Sequence, residues 1–299
     1  MQRIAALVVG LAAFPGGTAS AQQAAGTALW RLAATTLPVP PALATGSGAA
    51  FWNPAQAEDS ARTQFALEGI QTPAAIGASG MLAALRVRSR PLGYVGLVYG
   101  RVGLTDLTRT GDSPDPIGTS MPVYTYALGA TWSRVVRGTA LGATVAFHET
   151  RLDDARATRW TLDVGASRSV TPWLRLAAAT HFFSSFSTSD PAQDVYAGVE
   201  GRVWQGPLWG DRAALRGRYG LAFGHGFTAD HQMGLGFEVG SVVVLDAGVV
   251  REGSYGEPGW RPVAGVRVTI GKYRITFARD AGVNQLGSAY RVGVDVRFP

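Results

Sequence analysis

Cysteine is absent from the 299-residue chain, which removes disulfide bridges, thiolate metal sites and thiol nucleophiles together. Lysine is nearly absent too: Lys272 is the only one, so the formal net charge of +6 rests on arginine. The lysine clusters and base-reading helix of a nucleic-acid-binding protein are missing, and no nucleic-acid partner is expected. Long apolar runs are also lacking. The mean hydropathy of +0.09 is too low for a helical membrane protein. The apolar stretch from Ile4 to Phe14 is too short to cross a bilayer as a helix, which takes about 20 residues.

That short stretch has another reading. Arg3 precedes it, and Pro15-Gly16-Gly17 and Ala19-Ser20-Ala21 follow it. A charged start, a brief apolar core and a small-x-small site make residues 1–21 a cleaved signal peptide, so the mature protein is exported.

From Thr63 onward, apolar residues alternate with polar or small ones in segments of about ten residues, the period of a strand with two different faces. Trp160, Leu162, Val164 and Ala166 share one face, while Thr161, Asp163, Gly165 and Ser167 share the other. In the last such segment Tyr290, Val292, Val294, Val296 and Phe298 oppose Arg291, Gly293, Asp295 and Arg297. Strands are predicted at 63–70, 77–89, 92–101, 122–132, 139–150, 157–169, 173–183, 193–204, 212–224, 230–240, 242–251, 261–270, 272–280 and 287–298, about fourteen in all. A soluble sandwich also alternates; the connections decide between the two. Those after even-numbered strands are mostly tight, as at Arg90-Pro91, Val170–Pro172 and Gly271, with Gln205–Asp211 the longest. Those after odd-numbered strands are longer and polar, as at Val102–Met121, Ser184–Pro191 and Glu252–Trp260. Short periplasmic turns opposite long extracellular loops, on an even strand number, define an all-β fold: a closed antiparallel transmembrane β-barrel in the outer membrane of a Gram-negative-type bacterium.

Closure is required because backbone groups in hydrocarbon find no water, and only a closed sheet pairs them all. The apolar face then meets lipid, where a charge at mid-depth costs about 2–4 kcal/mol. The charged face lines the lumen. Arg175, Arg202, Arg212, Arg216, Arg218, Arg267, Arg274, Arg291 and Arg297, with Arg86, Arg88 and Lys272, are expected there beside Asp163, Glu200, Glu238, Asp246 and Asp295. Most can pair across neighbouring strands; in an open pore the excess of base would favour anions. Trp132, Trp160, Trp173, Tyr273, Tyr290 and Phe298 at strand ends suit the interfacial aromatic girdles.

Residues 22–62 lack sustained alternation and are rich in Ala, Gly, Thr and Pro. They contain Pro38-Val39-Pro40-Pro41 and the run Ala49-Ala50-Phe51-Trp52-Asn53-Pro54-Ala55. This run, together with the barrel layout, resembles the N-terminal region of the FadL-like and PorV/PorQ-like outer-membrane families, in which small residues lead into a Phe-(aromatic)-Asn-Pro-Ala motif before the first strand. Ala42–Ala50 lacks the acidic residues common ahead of that motif. The resemblance implies that residues 22–62 form a short plug-like segment, with Phe51, Trp52, Asn53, Pro54 and Ala55 as its motif. It also implies a passive channel for hydrophobic or amphipathic small molecules. A PorV-like barrel would instead serve a secretion or surface-attachment machine alongside other envelope proteins. A third reading is a general diffusion porin, with Val102–Met121 folded inward as a constriction.

The four histidines suggest no enzyme. His148 and His181 fall near outer strand ends, and His225 and His231 flank a loop with Asp230 beside them as the one candidate rim His–Asp pair, but Ser184, Ser185, Ser187 and Ser189 near His181 have the composition of a solvated loop. No histidine-carboxylate spacing makes a metal cluster, and no cofactor is expected. The expected partners are outer-membrane lipid, the barrel-assembly machinery and a small hydrophobic ligand, although Pro299 follows Phe298 where an assembly signal usually ends on an aromatic. Signal-peptide cleavage after Ala21 predicts a mature protein beginning at Gln22, which mass spectrometry of the exported form checks.

Overall fold

A computed structural model describes residues 27–46, 48–55, 61–73, 76–105, 107–110, 116–183, 193–224, 228–253, 259–282 and 287–299; the expected signal peptide lies outside them. The strands are β1 (Thr63–Gln71), β2 (Ala78–Ser89), β3 (Gly93–Leu104), β4 (Thr108–Thr110), β5 (Pro116–Ser120), β6 (Val123–Val136), β7 (Thr139–Leu152), β8 (Ala155–Thr171), β9 (Leu174–Phe183), β10 (Asp194–Leu208), β11 (Asp211–Gly224), β12 (Asp230–Val239), β13 (Val243–Glu252), β14 (Gly259–Ile270), β15 (Tyr273–Asp280) and β16 (Ala289–Phe298). Fourteen of them form one closed antiparallel barrel in chain order. The seam joins β1 to β16, from Thr63 opposite Phe298 to Gln71 opposite Tyr290.

The alternation sorts as the physics of closure requires. Leu97, Leu128, Val145 and Leu235 are about half exposed on the outer face. Gln64, Arg86, Thr144, Asp163 and Arg291 are buried on the inner one. The tight connections cluster at one end. Arg137-Gly138 and Trp209-Gly210 both have positive φ at their two residues, the mirror-type turn that matches strand twist.

Three predicted features come out differently. β10 and β11 run on through Gly206 and Pro207, which read as a turn, and meet at Trp209-Gly210; a bulge at Val203 keeps them in register. β3 reaches Leu104, and the connection beyond it holds the hairpin β4–β5, whose short strands carry no readable period. The hairpin is not an inward constriction at its described contacts: Arg109 reaches Asp153 of the β7–β8 turn at 2.5 Å, with its side chain exposed at the rim.

An arginine at Leu97 would put an uncompensated charge at mid-strand on the lipid face. Leu97→Arg is expected to lower stability by about 2–4 kcal/mol in denaturant titrations in phospholipid vesicles.

Candidate functional site

The N-terminal segment lies inside the barrel. Its helix α1 (Thr27–Thr35) is built from good helix formers, and two 3₁₀ turns follow at Pro41–Leu43 and Gly48–Phe51. The helix stops before Leu37 because Pro38 disfavours helical backbone at the residue ahead of it. Between these elements the backbone is irregular, so many of its carbonyls have no local donor.

Lumen side chains supply the missing donors. Arg291 on β16 donates to the Ala33 carbonyl at 2.6 Å and to Thr36 Oγ1 at 3.0 Å, while pairing with Glu68 on β1. Gln232 donates to the Leu37 carbonyl at 3.2 Å, Arg175 to the Leu43 carbonyl at 2.8 Å, and Arg267 to Thr45 Oγ1 at 2.9 Å. In the other direction, Trp30 Nε1 donates to Thr125 Oγ1 at 3.1 Å, and Arg31 Nη2 meets Asp194 at 2.8 Å in a buried ion pair.

The motif residues form the inner turn of the segment. Asn53 is fully buried; its Nδ2 donates to the Ala42 carbonyl at 2.7 Å, and its Oδ1 accepts from Ala55 N at 3.0 Å. The wall is cut away beneath the segment. A Cβ on Gly165 would collide with Asn53, and one on Gly142 with Pro54. At Gly100 a Cβ would fall 2.6 Å from the Trp30 ring and 2.8 Å from Phe51. Gly198, Gly220 and Gly265 admit Leu43, Pro40 and Pro38 in the same way.

Phe51 joins Trp30 (ring centroids 4.9 Å), Trp52 (5.1 Å) and Phe182 (6.1 Å) in an aromatic cluster. A shift in the β8–β9 register places His181 and Phe182 both opposite Asp163, so both side chains are buried inward, with Phe182 at φ +59°. Asp163 holds the pair: it accepts from Phe182 N at 2.6 Å and lies 3.0 Å from His181 Nδ1. The His181–Asp163 pair thus sits under Phe51 and Trp52, while Asp230, beside His231, accepts from Gly253 N at 2.8 Å. His148 contacts Thr161 and His231 contacts Tyr219, while His225 and Ser184–Ser189 lie outside the described residues.

Of the predicted lumen charges, most are paired. Glu200 gathers Arg175, Arg216 and Arg218; Glu238 holds Arg216; Asp246 holds Arg218 and Arg267. Arg274 lies opposite Asp295 in the ladder. Arg202 bonds Gln205 and the Pro172 carbonyl at the tight-turn end, where Arg297 is half-buried and Arg88 and Arg212 are exposed. Lys272 is a correction: it occupies a turn and lies 5.1 Å from the Phe298 ring centroid, outside the lumen, because a turn residue follows no strand parity. Sequence reading missed Arg31, Asp194, Glu68 and the outer trio Arg261, Glu252 and Asp280. Glu68 was legible from the alternation of β1.

Two cavities flank the segment. The outer is lined by Arg31, Ala34, Pro41, Tyr196, Gln232 and Val250 among others. The inner has Leu37, Val39, Trp52, Glu68, Arg267 and Arg274 on its walls. The strap from Leu37 to Pro41 divides them. Gly165→Val is expected to unseat Asn53 and loosen the segment. Because the chain has no cysteine, Ala44→Cys is a clean reporter at a buried position. Its maleimide labelling should rise about tenfold in the Gly165→Val background, the factor given by about 1.4 kcal/mol of lost seating.

No protein-family model matches the sequence, and no curated protein matches it. Solved structures do match its fold. A Pseudomonas aeruginosa FadL homologue aligns at 12% identity over 87% of this chain and 96% of its own, with a TM-score of 0.51. The TodX deltaS2S3 mutant, a monoaromatic hydrocarbon channel, aligns at 13% over 83% and 93%, with a TM-score of 0.51. The Ralstonia pickettii toluene transporter TbuX aligns at 14% over 86% and 95%, with a TM-score of 0.50. At such identities the likeness shows the fold alone, a closed antiparallel β-barrel of the kind these channels share.

Proposed function

We propose that this protein is a passive outer-membrane channel for small hydrophobic or amphipathic molecules, with residues 27–55 as its plug and Phe51, Trp52, Asn53, Pro54 and Ala55 as the plug's anchor. The observation that carries the reading is a segment packed inside the closed barrel and held there through side-chain hydrogen bonds, with a small pocket on either side of it. The hydrocarbon channel and the toluene transporter that share the fold support the substrate class.

The mechanism needs no energy source. A ligand entering the outer cavity buries apolar surface against Ala34, Pro41, Ala222 and Val250, worth about 25 cal/mol for each Å² removed from water. Passage requires the Leu37–Pro41 strap to leave Gly220 and Gly265, which opens the way to Val39, Ala44, Ala49 and Trp52. Release follows the concentration gradient. An open anion-selective porin is disfavoured, because the lumen arginines meet carboxylates or plug carbonyls and so present little uncompensated field.

Planar-bilayer recordings test the plug. The full chain is expected to be nearly silent, and deletion of residues 27–55 to give steady conductance. Porin-like current from the full chain would defeat the reading, as would silence from a deletion variant that still folds as a barrel.

A further inference from the structure

The outer face of the tight-turn rim carries charge that the lumen does not use. In β6, Trp132 and Arg134 point outward while Thr131 and Ser133 are buried. In β8, Val164 and Arg168 point outward while Asp163 and Ser167 are buried. Both arginines therefore stand on the lipid-facing side, within four residues of the tight turns that end their strands. Arg134 lies opposite Leu141 of β7, and Arg168 opposite Thr139 of β7 and Leu176 of β9. Their backbones thus flank β7 at roughly 12 Å, from two strand spacings and one two-residue step.

Their surroundings are those of a membrane boundary. Trp132, Val136, Val170, Trp173 and Leu176 are exposed beside them. Toward the tight-turn end the outward positions of β7 and β9, Thr139, Leu141, Ala143 and Val145 with Leu174, Leu176, Ala178 and Thr180, include no carboxylate; Glu149, on the same face of β7, stands eight residues beyond Leu141 and pairs with Arg156. Neither arginine has a hydrogen-bond or ion-pair partner among the described residues. A guanidinium at the depth of an aromatic girdle lies at the level of lipid headgroups, and its planar fork matches a phosphate.

We infer that Arg134 and Arg168 form a binding site for the phosphate of an anionic glycerophospholipid, with its acyl chains lying along Leu141, Leu176 and the apolar face above them. The tight-turn end is the periplasmic one by its loop lengths, so the lipid belongs to the inner leaflet. This site depends on the barrel being membrane-embedded and not on the channel reading.

Native mass spectrometry of the full chain, released from detergent containing equal phosphatidylglycerol and phosphatidylcholine, tests the site. The parent should retain phosphatidylglycerol preferentially, and Arg134→Gln and Arg168→Gln should each lower that preference about fivefold. Arg251→Gln, at an exposed position opposite Trp260 near the other end of the barrel, should leave it unchanged. Heat-modifiable gel mobility identifies folded barrels, and the single substitutions are measured separately so that each stands if the double variant fails to fold. The site is refuted if the parent shows no preference or if both glutamine variants keep it. Preferential retention of lipid A over phosphatidylglycerol, lost in the same variants, would overturn the inner-leaflet assignment.

Discussion

An amide removed from water must find another partner, and this constraint operates twice in the molecule. In the wall it is met by geometry alone. Each strand satisfies its neighbours, and β1 on β16 leaves no edge. In the lumen geometry does not suffice, since the N-terminal segment joins no sheet and beyond its helix pairs with itself only in short turns. There Arg175, Arg291 and Gln232 reach in from three different strands to meet the carbonyls of Leu43, Ala33 and Leu37. Arginine suits the task because it carries five donors and no acceptor, so one side chain can satisfy a carboxylate and a carbonyl together. Arg291 does so with Glu68 and Ala33.

How the segment is held also bears on whether it can leave. Individual hydrogen bonds contribute about 1 kcal/mol net, because water competes for both partners. The seats at Gly142, Gly165 and Gly220 add shape without adding covalent attachment. The Arg31–Asp194 pair is costly to separate, since both ends are buried, and it lines the outer cavity. A segment tied this way is firmly placed yet divisible into small steps.

Much of the wall was legible because its physics is local. Alternation at period two states which face each residue takes, and the loop lengths state which end is which. Residues such as Trp160, Asp163, Val292 and Asp295 fall where the pattern puts them. What escaped was everything that depends on a partner far away in sequence. The arginines read as a charged lining, but nothing near Arg175 or Arg267 announces Leu43 or Thr45, 132 and 222 residues away. Gly142 and Gly165 read as merely small positions, although each is fitted to the Asn53-Pro54 turn. The inward aim of Phe182 escaped because the register shift opposite Asp163 breaks the parity rule at that point. Pro207 misled in the opposite sense, suggesting a turn inside what is a continuous strand.

The seam has a meaning for assembly. The strand that follows the N-terminal segment is the one that closes the barrel, and the two strands of the seam carry Glu68 and Arg291, whose contact braces Ala33 and Thr36. Closing the wall therefore brings together the two side chains that complete the segment's cradle. A barrel that zipped shut with its leading residues outside would lack that brace, so the order in which the chain is laid down decides whether its interior is furnished or bare.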